Sequence, residues 1–253
     1  MSDKELYSAI FRRKSVRRYD MTPLPQDKLD KLWAFIGTIR KLDETIKTDF
    51  TILSEEKIRG LFSLKFMLAP HYICIYSEKK EGYLMNTGFI MQQIDLFLSS
   101  NNIGSCWLGM SKPGSDLELT KDGLSYVIML AFGNSPEPIH RSGTDEFKRK
   151  NLNEISSIDN AAELLEPVRM APSAGNTQCW FFSGNTTELI VSRKKQSLIK
   201  AQLYGRMNII DIGIALCHLW LAAEIQGKKV QFDLTDGIAP DGYEYMLKAK
   251  LWS

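Results

Sequence analysis

Residues 88–102 align without a gap on residues 213–227, and this recurrence constrains the fold more than any other feature of the sequence. Each segment begins at a glycine, runs through apolar residues with helical period, and ends at a residue that tolerates positive φ, Asn102 in one and Gly227 in the other. A second amphipathic helix precedes each, predicted over residues 26–39 and 161–170. The order implies two similar halves, each built around a long buried helix. Residue identity between them is slight, so two similar helical hairpins of separate origin would read the same way.

The remaining periodicity fills in this frame. A short helix is predicted over residues 5–11, and Leu29, Leu32, Trp33 and Ile36 mark the buried stripe of the helix over 26–39. Ala69-Pro70 stops a further helix, and residues 71–76 and 124–132 read as buried strands. A polar, charged linker runs over 140–160; strands are predicted over 179–182, 189–192 and 229–232, with the last strong helix over 210–225.

Composition decides what kind of chain carries this pattern. With 44% hydrophobic and 25% charged residues it is an ordinary globular protein, long enough at 253 residues to bury a large core. A net charge of +2, with basic residues spread apart from two short clusters, argues against an extended nucleic-acid groove. Cys74, Cys106, Cys179 and Cys217 form no Cys-x-x-Cys pair, so buried free thiols are expected and no metal site. Ser2, Asp3, Lys4 and Glu5 cannot form the apolar core of a secretory signal, and no apolar run reads as long enough to span a bilayer. A cytoplasmic protein with no membrane partner is the expectation.

Four segments carry chemistry. In Arg12-Arg13-Lys14-Ser15-Val16-Arg17, alternate residues of an extended chain project to one side, so Arg13, Ser15 and Arg17 can converge on one anion, as a terminal phosphate requires. A solvated basic helix end is the bland alternative. Gly104-Ser105-Cys106-Trp107-Leu108-Gly109 is a short apolar strand between glycines, where a planar ring can approach the backbone closely; a tight buried turn explains it too. Pro172-Ser173-Ala174-Gly175-Asn176-Thr177-Gln178-Cys179-Trp180 offers donors and acceptors to a heteroaromatic edge, or is a Gly-Asn turn between helix and strand. Lys148-Arg149-Lys150 is a second basic cluster, or a solvated loop.

In combination and order, these segments resemble the nitroreductase-like flavoproteins that bind flavin mononucleotide (FMN). Arg12 to Arg17 is similar to that family's phosphate motif, and the segment around Trp107, Leu108 and Gly109 to the one that lies against the flavin ring. Arg149 and Lys150 are similar to its late phosphate-reaching motif, and Pro172, Ser173, Ala174 and Asn176 to its Pro-Ser-x-x-Asn motif. The resemblance implies an α+β fold with mainly antiparallel sheets covered by helices, a three-layer αβα arrangement, here duplicated. It also implies two-electron chemistry fed by NADH or NADPH, a small nitroaromatic, quinone or related electrophilic substrate, and no dedicated catalytic residue. Relatives of the same fold with other chemistry (flavin destruction, dehalogenation) and a non-catalytic FMN-binding protein are the alternatives.

One departure is informative. In ordinary family members the Pro-Ser-x-x-Asn motif follows the first amphipathic helix, where this chain has Gly37-Thr38-Ile39-Arg40-Lys41-Leu42 and no match. The family's flavin lies between two subunits, so the chain resembles a subgroup that looks like two subunits fused. Residues 1–155 would carry the phosphate and ring motifs, and 156–253 the partner's contribution. A monomer with one flavin site follows from that resemblance. His71 and His218 fall within apolar strand and helix patterns and read as core or pocket wall.

Overall fold

The computed structural model describes residues 1–55, 67–113 and 119–253. The helix that ends at Ala69-Pro70 lies outside the described residues. Two antiparallel sheets are present among those described. The first contains β1 (Thr48–Ser54), β2 (His71–Ser77), β3 (Gly104–Leu108), the short β4 (Thr120–Lys121) and β5 (Leu124–Gly133), in the order β1-β2-β5-β3 with β4 paired to β5. The second contains β6 (Trp180–Gly184), β7 (Glu188–Lys194), β8 (Lys229–Asp233) and β9 (Tyr243–Trp252), in the order β6-β7-β9-β8. With β4 set aside, both sheets run first, second, fourth, third. The register slips once between the second and fourth strands of each, at Ile75/Tyr76 and at Val191/Ser192.

A long helix joins the second strand to the third in each case: α3 (Tyr83–Ser100) and α6 (Leu198–Ile225). Every residue of α3 from Leu84 to Ser99 is buried, the signature of a helix apolar all round that needs cover on every side. The two helices pack on each other and meet at the recurrent glycines. A Cβ added to Gly88 would lie 2.0 Å from the Ile210 carbonyl oxygen, and one added to Gly213 would lie 1.9 Å from that of Met85. Backbone touches backbone, and no side chain fits between. Beyond the crossing, Asn102 and Gly227 both take positive φ (57° and 70°) just past their helices, as the sequence pattern requires.

Shorter helices complete the core: α1 (Asp3–Ile10), α2 (Gln26–Ile36), α4 (Leu152–Ile155) and α5 (Ala162–Arg169). Phe89, Ile94, Leu216 and Trp220 sit in one hydrophobic core that reaches from the first sheet to the second. β2 serves two layers at once, with Ile73 and Ile75 in that core and Tyr72, Cys74 and Tyr76 in a separate cluster on the other face. The helical layer thus lies between the sheets. Helices α3 and α6 cover one face of each sheet, an α+β arrangement of antiparallel strands and helices.

Several sequence expectations are corrected in detail. α2 stops at Ile36, before Gly37; Leu32 and Phe35 are its buried residues, and Trp33 is 42% exposed. Phe35 takes the inward place by stacking on Phe97, with ring centroids 4.4 Å apart. α6 starts twelve residues earlier than the apolar pattern, at Leu198 rather than residue 210. Its segment Tyr204–Ile225 is long and apolar enough by composition to cross a membrane, contrary to the reading that no such run exists, but 83% of the apolar window is buried inside the protein. The linker over 140–160 holds α4 and a buried Phe147. All four cysteines are free and buried, and burial pushes the Cys74 thiol up to about 12.

Candidate functional site

After α1 the chain is extended and crosses the edge of the first sheet. Arg13 bridges antiparallel to His140, Ser15 bridges parallel to Ser105, and the Val16 N–H donates to the Ser105 carbonyl at 2.9 Å. Val16 is buried, while Arg13, Ser15 and Arg17 border one cavity together with Lys14. Gly104 makes the crossing possible, since a Cβ there would sit 2.9 Å from the Val16 side chain.

That cavity, about 510 Å³, is lined from three parts of the sequence. The N-terminal segment gives Arg13, Lys14, Ser15 and Arg17; the linker gives Arg141, Glu146, Lys148 and Arg149; the second half gives Pro172, Ser173, Gly175 and Asn176. Arg141 and Arg149 both approach the Phe147 ring, 4.0 and 5.5 Å from its centroid. Burial, then the neighbouring Arg13, Arg141 and Arg169, pulls Arg149 down to about 10, and burial with Arg13 lowers Arg141 as well. Guanidiniums that are desolvated and repel one another are relieved by an anion.

Arg13 stands behind this cluster. It is 1% exposed, and its Nε lies 3.0 Å from the Asp95 carboxylate of α3, which also accepts from the Ser105 hydroxyl at 2.5 Å. An Arg13 nitrogen reaches Ser15 Oγ at 3.2 Å. Arg13 is thus half committed to a buried ion pair, and its removal would strand Asp95 as well as thin the cation cluster.

A second cavity of about 320 Å³ adjoins the first and shares Ser15, Arg17, Pro172, Ser173 and Gly175 with it. β3 and the turn after it supply Cys106, Trp107, Gly109 and Met110, and Ile128 comes from β5. The loop after α5 adds Ala174. From α6 come Tyr204, Met207, Ile210, Asp211 and Ile214. Both volumes fall in the ~300–1,000 Å³ range of small-molecule sites.

The loop over residues 172–178 is shaped by strain and by tethers. Gly175, Asn176 and Gln178 all have positive φ (58°, 56° and 46°), and two of the three pay a side-chain penalty for it. Asn176 Oδ1 accepts from Arg149 at 2.7 Å and its amide donates to the Lys148 carbonyl at 2.8 Å, so Asn176 fastens the cationic loop. It borders the cation cavity and not the smaller one. The Ser173 hydroxyl accepts the Gln178 N–H at 2.9 Å, and both Asp211 carboxylate oxygens lie 3.1 Å from the Ala174 nitrogen.

Ten of the thirteen site residues read from sequence line one or both cavities; Arg12, Leu108 and Lys150 do not. Arg12 lies in the turn after α1, where its carbonyl accepts the Arg141 N–H at 2.8 Å. Leu108 packs in the cluster on the far face of the first sheet. Lys150 donates to the Thr177 and Gln178 carbonyls at 3.0 and 2.9 Å, bracing the loop instead of facing an anion. His71 accepts the Leu24 N–H at 2.8 Å, and His218, between Gln92 and the Pro167 carbonyl, is driven down to about 3 chiefly by burial; neither is among the residues that line these two cavities. Sequence reasoning missed Arg141, Tyr204, Met207 and Asp211. Arg141 sits in a Ser-Gly-Thr loop with no motif, Tyr204 and Met207 precede the apolar pattern of α6, and Asp211 is a lone acid inside it.

An adjoining pair of cavities, one cationic and one walled by a glycine-flanked strand and apolar helix residues, within two antiparallel sheets and a shared helical layer, defines an α+β protein of the nitroreductase fold. The chain belongs to the nitroreductase family described as "Putative TM nitroreductase", whose model matches residues 5–223. It is similar to the crystal structure of a "putative nitroreductase" from Thermotoga maritima, at 23% identity and a TM-score of 0.66, over 97% of this chain and 93% of that one. A nitroreductase family protein from Clostridium difficile 630 is 16% identical over 59% of this chain and 94% of its own, at a TM-score of 0.47. An FMN-dependent nitroreductase from Clostridium difficile R20291 is 18% identical over 57% and 93%, at 0.44. No curated protein matches the sequence.

Proposed function

We propose that the chain binds one FMN and uses it to pass two electrons from NADH or NADPH to a small electrophile such as a quinone or a nitroaromatic. One observation carries this reading: motifs from opposite halves of the sequence, Arg13-x-Ser15-x-Arg17 and Pro172-Ser173-Ala174-Gly175-Asn176, line adjoining cavities of complementary character. The donor set fits the group. Ser15, Arg17, Arg141 and Arg149 suit a phosphate, with Arg13 behind them, and Trp107, a wall of the smaller cavity, has a buried indole N–H with no partner among the described residues. A ring heteroatom would satisfy it.

When bound, the flavin supplies hydride acceptance and donation. The protein's residues then bind and orient. The arginines hold the phosphate end, the loop over 172–175 faces the flavin from the second half, and Ile128, Met207, Ile210 and Ile214 keep water from the ring cavity. Residues 1–155 and 156–253 act as the two members of an internal pseudo-dimer whose contact is the α3–α6 crossing. A second subunit is then not needed to complete the site, and the chain works as a monomer in the cytoplasm.

The visible spectrum of the purified protein, incubated with FMN and freed of excess, tests the assignment. Flavin absorption that bleaches anaerobically with NADH or NADPH is expected. A colourless protein that ignores added FMN would remove the proposal.

A further inference from the structure

Asp211 presents a problem that its structural duty does not solve. It lies two residues before Gly213, as Asn86 lies two residues before Gly88, and both side chains hold a loop. Asn86 does so with an amide, its Oδ1 accepting the Leu42 and Asp43 N–H groups at 2.9 and 3.2 Å. Asp211 receives a single N–H, that of Ala174, while 3% exposed in the wall of the ring cavity. A neutral amide anchors the loop in one half, so anchoring does not require a carboxyl in the other. Burying an acid beside one N–H is costly unless the acid is protonated.

The groups around it explain its state. Cys179 lies just before β6, Tyr204 precedes Asp211 on α6, and Cys106 and Arg17 share the cavity; among the described residues of that cavity Arg17 is the one cation, and it is exposed. Desolvation therefore dominates and pushes Asp211 up to about 8, against the opposing pull of the Ala174 N–H. The carboxyl is mainly neutral at pH 7, with a proton to give.

We infer that Asp211 is the proton donor of the ring cavity, delivering a proton to the oxygen of a bound quinone-class acceptor as that acceptor is reduced. The inference rests on the flavin reading of the same site. Reduction of a quinone to a hydroquinone consumes one hydride and one proton. The hydride originates in the nicotinamide donor. The proton leaves Asp211 as its O–H bond breaks and a new O–H bond forms on the quinone; the electron pair stays on the carboxylate, which the Ala174 N–H holds until water reprotonates it. A positioned general acid contributes roughly 10²–10⁴-fold to such a step.

The test compares wild type with Asp211→Asn, which keeps an acceptor for Ala174, using FMN-loaded protein, NADH or NADPH and 1,4-benzoquinone. Turnover of wild type is expected to fall as pH rises through about 8, and Asp211→Asn to lose roughly a hundredfold in kcat with a flat profile. A readout independent of turnover is the midpoint potential of the bound flavin against pH, expected to bend near pH 8 in wild type and to lose that bend in the variant. If the variant does not fold, the wild-type potential decides alone, and a straight line across that region overturns the inference. Unchanged kcat and pH profile in a folded Asp211→Asn overturn it too, with FMN binding intact. Failure of wild type to bind FMN overturns the flavin reading and this inference together.

Discussion

The edge strands β3 and β8 occupy the same place in sheets of the same order, and their surroundings have opposite character. Beside β3, Gly104 lets the N-terminal segment cross, and the cations brought there are matched in part, by Asp95 against Arg13. Beside β8, Lys229 stands in the place of Gly104, and Arg40 and Lys229 both pair with Glu224, at 3.4 and 3.3 Å. One edge gathers charge around a cavity; the other cancels it. A shared backbone therefore does not make a shared site. The packing contact at Gly88 and Gly213 is alike in both halves because backbone touches backbone there, whereas the side chains that meet a ligand are free to differ.

The likeness should break hardest at the crossing. Gly88→Ala and Gly213→Ala each drive a Cβ to about 2 Å from a carbonyl oxygen that cannot swing aside. Each is expected to cost more than about 4 kcal/mol, enough to remove the cooperative thermal transition. A mild loss in one and a severe loss in the other would show that the halves do not bear on the crossing equally.

Next in size come the two ion pairs. Arg13→Ala leaves Asp95 buried and unpaired, with an expected loss of roughly 3–5 kcal/mol in urea unfolding. Arg40→Ala opens a pair that is 39% and 18% exposed and should cost about 1 kcal/mol or less. Equal losses would remove the distinction between the two edges.

Ligand affinity sharpens it further. Arg149→Ala should weaken FMN binding by roughly 1.5–3 kcal/mol, about tenfold to over a hundredfold in fluorescence titration, while Lys229→Ala leaves affinity unchanged.

Stability against pH separates Asp211 from Asn86. The folded pKa of Asp211, about 8, lies above its ordinary value of 3.8. Its contribution is therefore fully present below that ordinary value and is lost as pH rises through about 8. The difference in melting temperature between Asp211→Asn and wild type should grow in favour of the variant over that window, and Asn86, with nothing to titrate, gives no counterpart.

How much of this was legible in sequence depends on where the information sits. The long buried helices, the crossing glycines and the left-handed residues that end them were readable, since apolar period and positive φ are local properties. The α+β class was readable for the same reason, with the family resemblance. β9 was missed although Tyr245, Leu247, Ala249 and Leu251 alternate as a half-buried strand requires. β1 was missed because its pairing with β2 depends on a distant partner. At the site, Arg13, Ser15 and Arg17 were found from alternation, but the ion pair of Arg13 with Asp95 joins residues far apart in sequence. Arg141 and Asp211 needed the fold itself, since each becomes distinctive only through what is packed around it.

The central claim is that one chain forms one complete flavin site across two unlike halves. FMN absorbance per protein concentration, taken with the mass by light scattering on the same sample, tests it most directly. One flavin per chain at the mass of a single chain is the expected result; two flavins per chain, or one flavin per obligate dimer, would contradict it.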